Sequence, residues 1–170
     1  MKGMNVKMEK IEVFESVINS SIFNEMEKIN WCTDLAQYAT YKCNIDGLIA
    51  SAYLFCPPII QVKDYIFIKQ FWNCSDEEST NYIDKLEEQY HFDKKTIEMH
   101  VNTWSIGDFF VGNTDELMDN IEILNQFGNA IVYFWQRRVK DLFPDRKIIV
   151  RLGNNLMGEF GLCVTMYEEA

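Results

Sequence analysis

Histidine, cysteine, serine and glycine are the residues of this chain whose types could do chemistry, and their spacing assembles no familiar site. His91 and His100 lie nine residues apart, away from the i, i+4 step that aims two ligands from one helical face, and neither has a cysteine close by in sequence. Cys32, Cys43, Cys56, Cys74 and Cys163 are odd in number and form no CxxC pair. They read as reduced, structural thiols, with no neighbouring base in sequence to activate one. Gly153, Gly158 and Gly161 sit in GNNLMGEFG, which lacks the Lys-Ser/Thr ending of a phosphate-binding loop and fits a flexible hairpin connection instead. No serine stands in a nucleophile-elbow context. Carboxylates are plentiful, 26 Asp and Glu together, so no spacing singles out an acid–base pair. The expectation is a chain with no catalytic residue, no metal and no cofactor.

Charge is more informative. A formal net charge of −10 and a pI near 4.6 argue against direct binding to nucleic acid, whose phosphates would be repelled. A helix-turn-helix placed on Asp93 to Phe110 would start with Lys94 and Lys95 but also carry Asp93, Glu98 and Asp108, which is no basic footprint. The acidic residues gather at Asp76, Glu77, Glu78, Asp84, Glu87 and Glu88, against Lys85 alone, and continue at Asp115, Glu116, Asp119 and Glu122. One reading is a solvated helical face with anions near helix N-termini. The functional reading makes Asp76, Glu77, Glu78, Asp84, Glu87 and Glu88 the docking surface for a basic protein partner, a toxin or an enzyme. A basic group, Arg137, Arg138, Lys140, Arg146, Lys147 and Arg151, complements the negative end of a long helix.

That helix is the element the others are organised around. In Asp115 to Phe143, Leu117, Ile121, Leu124, Gly128, Ile131, Trp135 and Leu142 recur on one helical face, with Gly128 placed to let another backbone come close. Asn113 and Glu116 have the spacing of a reciprocal N-terminal cap, and Pro144 forbids continuation. Such a helix extends on the order of 40 Å. Before it, Ile11, Phe14, Ile18 and Ile22 mark a first helix from Met8, interrupted at Asn19-Ser20-Ser21, after a loose, disordered start over residues 1–6. Trp31 to Tyr41 is a weaker helical stretch, and LIASAYLFC, after the turn at Asn44 to Gly47, tilts towards helix. Ile59 to Val62 and Tyr65 to Ile68 read as a hairpin, 76–90 as a helix facing inward with Ile83, Leu86 and Tyr90, and 94–101 as a short helix presenting Ile97 and Val101. Lys147 to Leu152 and Phe160 to Tyr167 form a closing hairpin. The pattern is α+β: an antiparallel sheet from two hairpins packed on a long central helix, with additional N-terminal helices, in a single domain over 1–170.

At 170 residues, 48% apolar and 14% aromatic, the chain is rich enough for one real core. No window reaches the roughly 18 apolar residues of a membrane span, and the charged start MKGMNVKMEK is no signal peptide, so a cytoplasmic location is expected. Abundant Ile, Asn and Lys suggest an AT-rich bacterial or phage genome. The phrases CPPIIQVKDYIFIKQFW and LFPDRKIIVRL…GLCVTMYEE, in this order of helices and hairpins, resemble small acidic bacterial proteins of the toxin-immunity type. Such proteins are encoded beside polymorphic or contact-dependent toxins. The resemblance implies a cytoplasmic, non-catalytic inhibitor that binds its cognate toxin, and it places no site on particular residues. Two alternatives stand beside it. One is a small-molecule-binding domain or enzyme with a pocket between sheet and central helix; the other is a phage-encoded inhibitor that mimics nucleic-acid charge.

Overall fold

The computed structural model describes residues 16–75, 78–111 and 119–169. The start of the expected first helix, the Asn113–Glu116 cap and Leu117 lie outside these residues. Within them, Asn19 caps a short 3-10 helix, Ser20–Glu25, of which Ile22 is buried. Helix α1 (Leu35–Lys42) begins where the Asp34 carboxylate accepts the Gln37 N–H. Helix α2 (Ile45–Phe55) begins where Asn44 accepts the Gly47 N–H, so the expected turn is a helix cap. Pro57-Pro58 then ends the helical part.

The β-branched and aromatic runs that follow form the expected hairpin, β1 (Ile59–Val62) and β2 (Tyr65–Ile68), with Val62 opposite Tyr65 and Ile59 opposite Ile68. Its turn has no glycine; Lys63 takes the left-handed conformation there at φ 52°. Strand β2 is buried along its whole length. Alternation sends Ile66 and Ile68 into one core, with Ile131, Trp135, Val150 and Val164. It sends Tyr65 and Phe67 into a second core, with Trp72, Ile83, Leu86 and Ile97.

Helices α3 (Ser79–Gln89) and α4 (Lys94–Asn102) cover that second core with Ile83, Leu86, Ile97 and Val101, as the periodicity predicts. A two-residue strand β3 (Trp104–Ser105), too short for any sequence pattern, pairs with the closing hairpin. Helix α5 (Ile121–Leu142) is 22 residues long, about 33 Å at the usual rise. It starts at Asn120, whose side chain accepts the Glu122 and Ile123 N–H groups, several residues after Asp115. Gly128, Ile131 and Trp135 are buried as expected, but Ile121 and Leu142 at the two ends of the stripe are exposed and Val139 is buried instead. Gly128 faces a side chain rather than a backbone: a Cβ there would stand 2.9 Å from Leu152 Cδ1.

Strands β4 (Ile148–Asn154) and β5 (Leu162–Glu168) pair from Ile148 opposite Glu168 to Asn154 opposite Leu162. The architecture is α+β, with a long helix against antiparallel hairpins. The hairpins lie in two sheets, β1-β2 and β3-β5-β4.

Candidate functional site

Helix side chains join the two sheets. On α4, Glu98 and Asn102 stand one turn apart and are both fully buried. Glu98 accepts the Ile66 N–H at 2.9 Å through Oε1 and the Glu168 N–H at 2.6 Å through Oε2. Asn102 accepts the Ile68 N–H (2.9 Å) and donates to the Ile66 carbonyl (2.9 Å) and the Met166 carbonyl (3.1 Å). They therefore satisfy the edges of β2 and β5 that carry no neighbouring strand there. Gln136 on α5 does the same for β4, donating to the Ile148 carbonyl (2.7 Å) and accepting the Val150 N–H (2.8 Å). Burial pushes the Glu98 carboxyl above its ordinary range, partly offset by its two backbone donors. Glu98, in sequence one acid offsetting two nearby lysines, is an internal strut.

Ion pairs fasten the hairpin tip. Lys94 pairs with Asp64 and with Glu168 (2.6 Å). Arg146 pairs with Glu168 and donates to the Asp64 carbonyl at 2.7 Å. The Arg146 guanidinium, aided by Lys94 against the effect of burial, holds Glu168 below the usual carboxylate range. So Arg146 of the expected basic group is a structural clamp, and Lys147 pairs with Glu169 at 2.8 Å. Arg151 lies over the Tyr167 ring, and Arg138 Nε is buried without a hydrogen-bond partner.

The acidic helix divides in two. Asp76 and Glu77 lie outside the described residues. Asp84 and Glu87 both turn to the hairpin tip, where each stands 2.6 Å from Lys63 Nζ. The Tyr65 hydroxyl donates to Glu87 at 3.0 Å, and burial together with that carboxylate pushes its phenol up to about 12. Glu78 accepts the Ser75 hydroxyl at the start of α3, and Glu88 is exposed. Of the six residues expected to face a basic partner, Asp84 and Glu87 are thus already engaged within the chain.

Among the described residues no group of three or more His, Cys, Asp and Glu could hold a metal ion. His91 and His100 are both exposed, His100 against the Tyr90 ring. The five thiols are free: Cys32 and Cys163 buried, Cys74 half-buried, Cys43 and Cys56 exposed. The glycine-rich stretch is the β4–β5 connection. Asn155 and Gly161 close it through two hydrogen bonds, and Gly158 (φ 88°) and Gly161 (φ 79°) take a conformation L side chains avoid. A polar cleft of about 330 Å³ at the start of α3 brings Cys74, Glu78, Tyr82 and Lys85 together, with no histidine among its lining.

What the chain does present is apolar surface on its helical side. No residue of α2 is buried. Ile45, Leu48, Ile49 and Tyr53 recur at helical spacing and are all exposed, Ile45 at 74% and Ile49 at 65%. Among the described residues its anchoring contacts lie at the C-terminal end. The Trp135 indole N–H donates to the Leu54 carbonyl at 2.9 Å, and Phe55 meets Phe127 and Phe134. Just before and on α1, Trp31 and Tyr41 stack edge to face at 4.0 Å, both more than half exposed. The charged residues of this region are Glu25, Glu27, Asp34 and Asp46 against Lys28 and Lys42, and Lys42 pairs with Glu27.

Beside this surface, between α1 and α5, runs an apolar groove of about 570 Å³ lined by Ile18, Ile22, Met26, Leu35, Ile123 and Phe127 among others. It lies on the helical side of α5, not between α5 and the sheet where the ligand-binding alternative put a pocket. No described helix is long and apolar enough to cross a membrane. Comparison with known protein families, curated proteins and solved structures found no match.

Proposed function

We propose that this chain is a non-catalytic binding protein of the toxin-immunity type, which neutralises a cognate bacterial toxin by covering it in the cytoplasm. The observation that carries the reading is α2, an apolar helix with no buried residue, flanked by the exposed Trp31–Tyr41 ring pair. Leaving that much apolar side chain in water is costly to the free protein, and large exposed apolar patches mark interaction sites. Aromatic and aliphatic anchors of this kind form the centre of protein interfaces, where a few residues dominate the affinity. The carboxylates around the patch and the net charge of −10 suit a basic partner and speed its encounter. The contact surface is therefore α1–α2, with the acidic residues of α3 as distant steering charges.

The test is titration calorimetry with the partner recovered by pull-down from the source cell. Ile49→Asp and Tyr53→Ala are each expected to weaken binding by about 2 kcal/mol or more, as interface hot spots do. Binding that both variants leave unchanged overturns the reading.

A further inference from the structure

The groove between α1 and α5 is walled by apolar side chains; of its lining residues only Ser16 and Gln126 are polar, and Gln126 Oε1 already accepts the Asn19 N–H at 3.1 Å. A small-molecule site would aim a few convergent polar groups at its ligand to fix orientation, and this groove offers almost none. Its rim is different. Among the described residues, those next in sequence to the lining include Glu25, Glu27, Asp34 and Glu122 and no lysine or arginine. Lys42 pairs with Glu27, while Glu25, Asp34 and Glu122 are exposed. We propose that this groove receives a helix of the partner protein, apolar on the face that meets Ile22, Leu35, Ile123 and Phe127 and basic along its edges. The proposal rests on the reading of the chain as a partner-binding protein, and it adds to the α2 surface, which lies outside the groove lining.

The walls select the guest's backbone and the rim selects its charge. No lining residue belongs to a strand, so an extended guest would find no edge to pair with, and its own N–H and C=O groups would lie unsatisfied against apolar walls. A helix satisfies those groups internally and offers side chains at i, i+3, i+4 and i+7 as anchors. The exposed carboxylates come from both walls. Asp34 caps α1, and Glu25 accepts from Asn120, the cap of α5, at 3.4 Å, with Glu122 in the first turn of that helix. Lysine or arginine beside the guest's apolar face would complement them and set its orientation. Lys28 lines a separate cleft with Cys32. A second copy of this chain would bring the same carboxylates and a net charge of −10, and an anionic bilayer would be repelled likewise.

The test uses the full chain and labelled synthetic peptides, read by fluorescence anisotropy. A Leu/Lys peptide with leucine on one helical face is expected to bind saturably. The same peptide with glutamate for lysine, or shuffled so that no face is apolar, should bind many-fold more weakly. Ile123→Lys, which puts a cation on the groove wall, should abolish binding with unchanged circular dichroism. Glu122→Lys, an exposed change on the rim, should weaken it several-fold, whereas Asp145→Lys, the same change of charge outside the lining, should not. Equal binding of the shuffled peptide means charge alone attracts it, and equal binding of the Leu/Glu peptide means the rim selects nothing. No binding means the groove is closed by this chain or by a second copy. Each of these results overturns the proposal. If Ile123→Lys does not fold, the contrast between Glu122→Lys and Asp145→Lys decides. Calorimetry with the recovered partner judges the α2 surface separately, so a groove that takes no peptide leaves that reading standing.

Discussion

Glu98 and Asn102, one helical turn apart on α4, bond the backbone of both hairpins at once, where no described strand lies alongside. The Glu98 carboxyl offers each of the two N–H donors its own oxygen. Glu98→Gln would set an amide NH₂ against either the Ile66 or the Glu168 N–H. The expected loss at neutral pH is about 1–3 kcal/mol, the cost of one buried unsatisfied donor.

The pH dependence of that loss has a definite sign. Burial raises the Glu98 pKa, so the folded chain takes up the proton before the unfolded chain does. The stability linked to this group is fully present below the unfolded pKa and is lost as pH rises through the folded one. Glutamine does not titrate, so the gap between parent and Glu98→Gln should widen as pH falls from neutral towards 4. Urea midpoints at a series of pH values measure it; a constant gap contradicts the raised pKa.

Arg146→Ala should show the opposite slope. Arg146 lowers the Glu168 pKa, a contribution present above the unfolded pKa and lost as pH falls through the folded one. The variant is expected to cost about 1–3 kcal/mol at neutral pH, as for hydrogen bonds to charged groups, and progressively less below pH 4. The same urea series checks it.

Gly128→Leu should destabilise by about 1–3 kcal/mol through overpacking. The atoms in the way are the Leu152 methyls, so adding Leu152→Ala should recover part of the loss. A double variant no more stable than Gly128→Leu alone would place the obstruction elsewhere, for instance at Ile106.

Thiol titration should separate three classes. Cys43 and Cys56 are exposed and should react with an aromatic disulfide reagent at once, Cys74 more slowly, and Cys32 and Cys163 only on unfolding. Mass spectrometry of the modified peptides assigns each class.

Both hairpins, α3, α4 and most of α5 were legible because burial on one face imposes a period of 2 or 3.6 on the residues. Where the stripe failed, at Ile121 and Leu142, the helix runs past the sheet that covers its middle, and no local pattern marks where a distant cover ends. Glu98 was missed because a carboxylate on an amphipathic helix reads as solvent-facing; its partners, Ile66 and Glu168, are 32 and 70 residues away. Asp84 sits on the exposed side as the period requires and Glu87 is half-buried, yet their pairing with Lys63 depends on where the hairpin tip folds back. The open surface of α2 was equally hidden, because an apolar run does not say whether a neighbour covers it.

Strand β2 has a consequence for how the molecule comes apart. Ile66 and Ile68 wall one core while Tyr65 and Phe67, the residues between and before them, wall the other. Neither core can loosen without displacing the side chains that close its neighbour. The closing hairpin, α5, α3 and α4 should therefore lose hydrogen-exchange protection together, as one cooperative unit. The α2 helix, held at its C-terminal end by Trp135 and by the packing of Phe55 on Phe127, should exchange far earlier, free to adjust to whatever it meets.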